Sequence, residues 1–139
     1  MHALVPKNGV PIFGKQKWSL SPFSPKSVDI DSCLKEDYPN ENRWDYAVFI
    51  ESDAMLKTAF IEIHPANESE VDEVIKKAQW MKRWIMDNQI RVITENRKFF
   101  WVSSGNVKIT KNSQKIRLLR KQGIEGPQEH LVVDKEMRF

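Results

Sequence analysis

The sequence predicts an α/β (α+β) domain, in which a mixed β-sheet opens with a hairpin, continues through a crossover helix at about 68–87 and carries flanking helices. Three observations point there. "RWDYAVFIES" (43–52) and "KTAFIEIHP" (57–65) alternate apolar and polar residues, with "SDAM" between them, the pattern of two half-buried strands joined by a tight connection. Val71, Val74, Ile75, Ala78, Met81 and Ile85 then recur at helical spacing, which gives a helix one apolar face. "IRVITE" (90–95) is β-branched, and strand, helix and strand in that order read as a right-handed crossover between parallel neighbours.

Residues 1–27 are dense in proline (Pro6, Pro11, Pro22, Pro25) and hold Phe13, Trp18 and Phe23. They predict an extended arm whose aromatics dock on a single domain at 28–139. A short helix in about 28–37, capped by Ser27, precedes a turn at "YPNEN" (38–42). Asn67 with Glu70 resembles a capping box at the start of the main helix. Asp72 with Lys76, and Glu73 with Lys77, have the spacing and order of favourable helix pairs. "FFWVSS", Gly105-Asn106 and "VKIT" predict a second hairpin. "SQKIRLLRKQGI" predicts a helix that starts after Asn112 and is closed by Gly123. "HLVVD" reads as a last short edge strand.

A chain of 139 residues is long enough for one self-sufficient core. The single cysteine, Cys33, leaves no internal disulfide to form, which predicts a reducing, cytoplasmic setting. No stretch approaches the ~20 apolar residues of a membrane span, and the first ten residues lack the order of a signal peptide, so no membrane partner is expected. Lys and Arg number 22 against 19 Asp and Glu. The surplus collects in "VKITKNSQKIRLLRKQ" (107–122), an asymmetry that permits a polyanionic partner without requiring one.

The chemistry concentrates in "AFIEIHP" (59–65). Phe60, Glu62 and His64 share one strand face, and Asp45, Ala47, Phe49 and Glu51 share a face of the preceding strand. A hairpin folded about Asp53-Ala54 puts Asp45 across from Glu62, where like charges oppose the ladder. A divalent cation, Mg²⁺ or Mn²⁺, held by Asp45, Glu62 and the carbonyl of Ile63 is one way to offset that repulsion. His64 is then placed to orient a water, to protonate a leaving group or to join the metal. The alternative from the same residues is an acidic edge that only discourages strand pairing.

The order "RWDYAVFIE", "AFIEIH", "ESEVDEVIKKAQWMKRWI", "IRVIT" resembles the PD-(D/E)xK nuclease superfamily, the restriction-endonuclease-like fold. That resemblance covers about 43–94. It implies Asp45 and Glu62 as metal-binding carboxylates and His64 at the place of the motif lysine. Some branches carry a Gln or Lys in the following helix, for which Gln79 or Lys76 would serve, and Glu36 in the early helix would assist. The function implied is metal-dependent hydrolysis of phosphodiester bonds, with Lys108, Lys115, Arg117 and Arg120 holding the nucleic-acid backbone. The alternative is a catalytically inactive binding or assembly module on the same scaffold, because His64 replaces a permanent cation by a titratable one. Trp80 and Trp84 fall off the main helix stripe; the arm, a second subunit in a homodimer, or a stacked nucleobase would each account for them.

Overall fold

The computed structural model describes residues 7–8, 18–19, 26–52, 55–88 and 96–132. The strands are β1 (Lys7–Asn8), β2 (Trp18–Ser19), β3 (Lys26–Asp29), β4 (Tyr46–Ser52), β5 (Met55–His64), β6 (Arg97–Ser103), β7 (Ile124–Gln128) and β8 (Leu131–Val132). The helices are α1 (Ile30–Leu34), α2 (Val71–Asp87) and α3 (Gln114–Lys121), and a 3₁₀ turn, Glu68–Glu70, leads into α2. Six strands form one mixed sheet in the order β1-β3-β4-β5-β6-β7. β3, β4 and β5 run antiparallel in sequence, while β5, β6 and β7 are parallel. β2 and β8 pair with each other in a separate two-stranded sheet.

The predicted hairpin forms in the predicted register, with Tyr46 opposite Ile61 and Ser52 opposite Met55. The predicted crossover helix also forms and links β5 to a parallel neighbour. That described neighbour is Arg97–Ser103, whereas 90–95 lies outside the described residues. The second hairpin is not made. "FFWVSS" belongs to the parallel strand β6, and 107–110 is irregular chain held by the Lys108 N–H donating to the Ala66 carbonyl. A second crossover replaces it, since β6 leads through α3 to β7 in parallel. β7 contains Gly126 at φ 101°, and a side chain there would stand 2.3 Å from the Trp101 carbonyl oxygen, so only glycine fits that approach.

Two cap roles pass to a neighbouring residue, at Ser27 and Asn112, and a third expectation, the capping box of Asn67, is not made. Ser27 is inside β3, and α1 is capped by Asp29, which accepts from the Ser32 N–H. Asn67 makes no side-chain cap, and the Glu70 side chain is committed elsewhere. α3 starts after its cap Ser113, one residue later than Asn112 suggested, and Gly123 closes it at φ 73°. Of the arm, Trp18 joins β2, while Phe13 and Phe23 lie outside the described residues.

The period of the strands sorts their side chains onto two buried layers. Ala47, Phe60, Phe99 and Trp101 face Val74, Ala78, Met81 and Ile85 of α2, together with Ile30 and Leu34 of α1 and Leu119 of α3. Tyr46, Val48, Ala59, Ile61, Phe100 and Val102 cluster on the opposite face with Leu131. Each large apolar side chain moved out of water contributes about 1.5–3 kcal/mol, so the sheet is anchored on both faces at β4, β5 and β6. Among the described residues no helix is long and apolar enough to cross a membrane.

Trp80 and Trp84 are largely buried within the chain itself. They are 7% and 5% exposed within the α2 layer, and Trp80 takes the edge of Tyr38 at 5.6 Å. Tyr38 therefore covers part of the α2 side that carries Trp80.

Candidate functional site

β4 and β5 separate at one end of the sheet, and the site lies where they part. Tyr46 and Ile61 are the last paired residues there. Beyond them, side chains replace the ladder. The Asp45 N–H donates to Glu62 Oε1 at 3.1 Å, and the Ile63 N–H donates to Asp45 Oδ2 at 3.0 Å. Asp45 and Glu62 thus meet as the alternation of the strands predicts, with Glu62 wholly buried and Asp45 22% exposed at its side chain.

Two adjacent carboxylates need a counter-charge, and α2 supplies it. The Lys77 ammonium contacts Glu62 Oε2 and lies 3.5 Å from Asp45 Oδ1. One oxygen of each carboxylate is held by the backbone, and the other faces this lysine. The i,i+4 partner expected for Lys77, Glu73, gives way to the stronger field of the buried pair. Asp72 likewise pairs with Lys115, at 3.5 Å.

His64 completes the cluster. Its Nδ1 is 3.4 Å from Glu62 Oε2, and its Nε2 is 2.9 Å from Glu70 Oε2 in the 3₁₀ turn. The backbone beneath it is fixed, because the His64 carbonyl accepts from Trp101 Nε1 at 3.0 Å and from the Ser104 N–H at 3.2 Å. A ring with a carboxylate at each nitrogen is favoured in its charged form. Its pKa is raised above 6.5 by the hydrogen bond with Glu62, against burial and with help from Glu70.

The same crowding acts oppositely on the acid. Burial, and then the charge of Glu62, push Asp45 up to about 7, although Lys77 and the Ile63 N–H pull the other way. Burial disfavours the Lys77 ammonium, but Glu62 and Asp45 together outweigh it and raise its pKa above 10.5. Lys77 is a permanent cation at neutral pH.

The other residues singled out by sequence are placed as follows. Lys76 is exposed, and Gln79 is exposed and reaches Gln122 at 3.5 Å; neither takes the helix position at the site, which Lys77 fills. Ile63 meets Asp45 through its N–H. Glu36 is exposed in the turn after α1. Lys108 and Arg117 are exposed, the Lys108 backbone being tied to Ala66 two residues beyond His64. Arg120 Nη1 donates to the carbonyls of Ile124 and Gly126 at 2.8 Å and so fastens α3 to β7.

Lys77 and Glu70 are the site residues that sequence reasoning missed. A signal existed for the first, since Lys77 stands three residues after Val74 and four before Met81, a core-facing place for a charged side chain. Nothing local marks Glu70, whose partner is set by the path of the chain after Pro65.

Among the described residues no group of three His, Cys, Asp or Glu side chains is arranged to hold a metal ion. Asp45 Oδ1 and Glu62 Oε2 do converge on one cation, the Lys77 ammonium. Two hard oxygen donors turned toward a single cationic centre are chemically suited to Mg²⁺ or Mn²⁺ as well. No protein-family model, no curated protein and no solved structure matches the chain.

Proposed function

We propose that the chain is a metal-dependent nuclease of the PD-(D/E)xK kind, with a restriction-endonuclease-like core, hydrolysing phosphodiester bonds in nucleic acid. The observation that carries this reading is the meeting of Lys77 with Asp45 and Glu62. The helix lysine supplies the permanent cation that His64 cannot, within the order Asp, hairpin, Glu-x-His, helix and parallel strand. Bound Mg²⁺ or Mn²⁺ would polarise the scissile phosphate and acidify a water.

The chain's own residues have separate tasks. Asp45 and Glu62 present Oδ1 and Oε2, their other oxygens being anchored to the backbone. Lys77 offers an ammonium to the charge that develops on phosphate. His64, with a carboxylate at each ring nitrogen, is a proton source for a leaving oxygen. Lys108 and Arg117, both exposed, hold the flanking backbone by charge.

The test is incubation of labelled single- and double-stranded DNA and RNA with Mg²⁺ or Mn²⁺ and either wild type or Asp45→Ala. Cleavage by wild type alone is the expected outcome; intact substrates throughout would refute the reading. One observation favours the second reading, an inactive nuclease-like binding or assembly module: the carboxylate pair is already neutralised in part by Lys77. Binding of nucleic acid without cleavage under any metal would select it.

A further inference from the structure

We infer that Lys77 is a built-in competitor for the divalent cation, its ammonium and the metal sharing one carboxylate pair, so that the site accepts metal only when Lys77 turns out of it. This rests on the metal-site reading of Asp45 and Glu62.

The asymmetry of the cluster supports it. Glu62 Oε1 is held by the Asp45 N–H at 3.1 Å, and Asp45 Oδ2 by the Ile63 N–H at 3.0 Å. Each carboxylate is thereby tethered to the backbone through one oxygen. The other oxygens, Asp45 Oδ1 and Glu62 Oε2, form an anionic fork aimed at the ammonium, with His64 Nδ1 also 3.4 Å from Oε2. Lys77 sits on a flexible four-carbon stem and is still 16% exposed at its side chain. A tethered fork with a movable cation is a site of exchange. Lys77 brings one positive charge to the two carboxylates, whereas a divalent ion in its stead brings two.

A divalent ion and an ammonium cannot occupy the fork together, because like charges at contact repel strongly where water is scarce. The released ammonium then meets the phosphate charge of the proposed substrate. Lys77 thereby keeps the carboxylates paired while the protein lacks metal, and frees itself for phosphate when metal enters.

Electron paramagnetic resonance titration with Mn²⁺ alone tests this on the full chain as wild type, Lys77→Gln and Lys77→Arg. Lys77→Gln removes the competing charge and should bind Mn²⁺ at least about tenfold more tightly than wild type. Lys77→Arg keeps the charge and offers a planar fork to two carboxylates, so it should bind more weakly than wild type. Equal or weaker binding by Lys77→Gln overturns the competition while leaving the metal site standing. Failure of both wild type and Lys77→Gln to bind overturns the competition and the metal site together. Should Lys77→Gln not fold, the comparison with Lys77→Arg decides, and equal or tighter binding by Lys77→Arg refutes the inference.

Discussion

Asp45 and Glu62 close the ends of two strands through one another: the Glu62 carboxylate accepts the Asp45 N–H, and the Asp45 carboxylate accepts the N–H of Ile63, next to Glu62. Glu62 is also the buried partner of Lys77 and His64. Removing it leaves a lysine without its main counter-charge and a backbone N–H without an acceptor. Glu62→Ala should therefore cost about 3–5 kcal/mol in urea unfolding. Glu62→Gln, which keeps an acceptor but not the charge, should fall between Glu62→Ala and wild type.

Stability should fall as the medium becomes alkaline. The folded protein keeps the Asp45 proton up to about 7, while the unfolded chain releases it near 3.8. Between those values the native state binds more protons, so the contribution of Asp45 declines with rising pH and is lost above about 7. His64 acts in the same sense, its contribution being complete below 6.5 and lost as pH rises through the raised folded pKa. Asp45→Asn should thus be more stable than wild type at alkaline pH, by on the order of 1–3 kcal/mol, and nearly equal to it under mildly acidic conditions. Denaturant midpoints across that range measure the difference. A midpoint for wild type that rises with pH would contradict the burial of an Asp45 carboxyl.

The hairpin register, the crossover helix and the meeting of Asp45 with Glu62 were legible in the sequence, because each follows from a local period. Alternation over 43–65 fixes which residues share a face, and the turn fixes which oppose one another. What offsets the two charges was marked only by the core-facing place of Lys77 between Val74 and Met81. Lys77 comes from a different element, and its local partner Glu73 suggested an ordinary surface pair. β7 escaped notice because Gly126 and Pro127 argue against a strand, and only packing against the Trp101 carbonyl makes glycine suitable there. Trp80 looked unpartnered because its cover, Tyr38, lies in a segment without periodicity.

Glu70 should tune His64 from outside the strand. The 2.9 Å contact at Nε2 supports the charged ring, second to the hydrogen bond with Glu62. In Glu70→Gln the His64 ring should titrate at lower pH than in wild type, measured by NMR through the imidazole nitrogens. An unmoved titration would show that Glu62 alone sets the charge of His64.

Tyr38 should govern solvent access to the helix tryptophans. Its edge contact with Trp80 at 5.6 Å contributes about 0.5–1.5 kcal/mol beyond burial. Tyr38→Ala should lower stability by at least that amount and raise iodide quenching of a variant that retains only Trp80 and Trp84. Full quenching of that variant with Tyr38 intact would place both rings in solvent and contradict their burial.

The most direct test of the proposed chemistry compares neighbouring lysines. Lys76 is exposed, while Lys77 meets Asp45 and Glu62; the two side chains carry the same charge and differ only in where α2 points them. Initial rates of Mn²⁺-dependent cleavage of a labelled DNA should be unchanged in Lys76→Ala and lower by about 10²–10³-fold in Lys77→Ala, with melting curves recorded for both variants to show that each is folded during the assay. Equal rates in folded Lys76→Ala and Lys77→Ala, or no cleavage by wild type, would contradict the assignment of this cluster as a nuclease site.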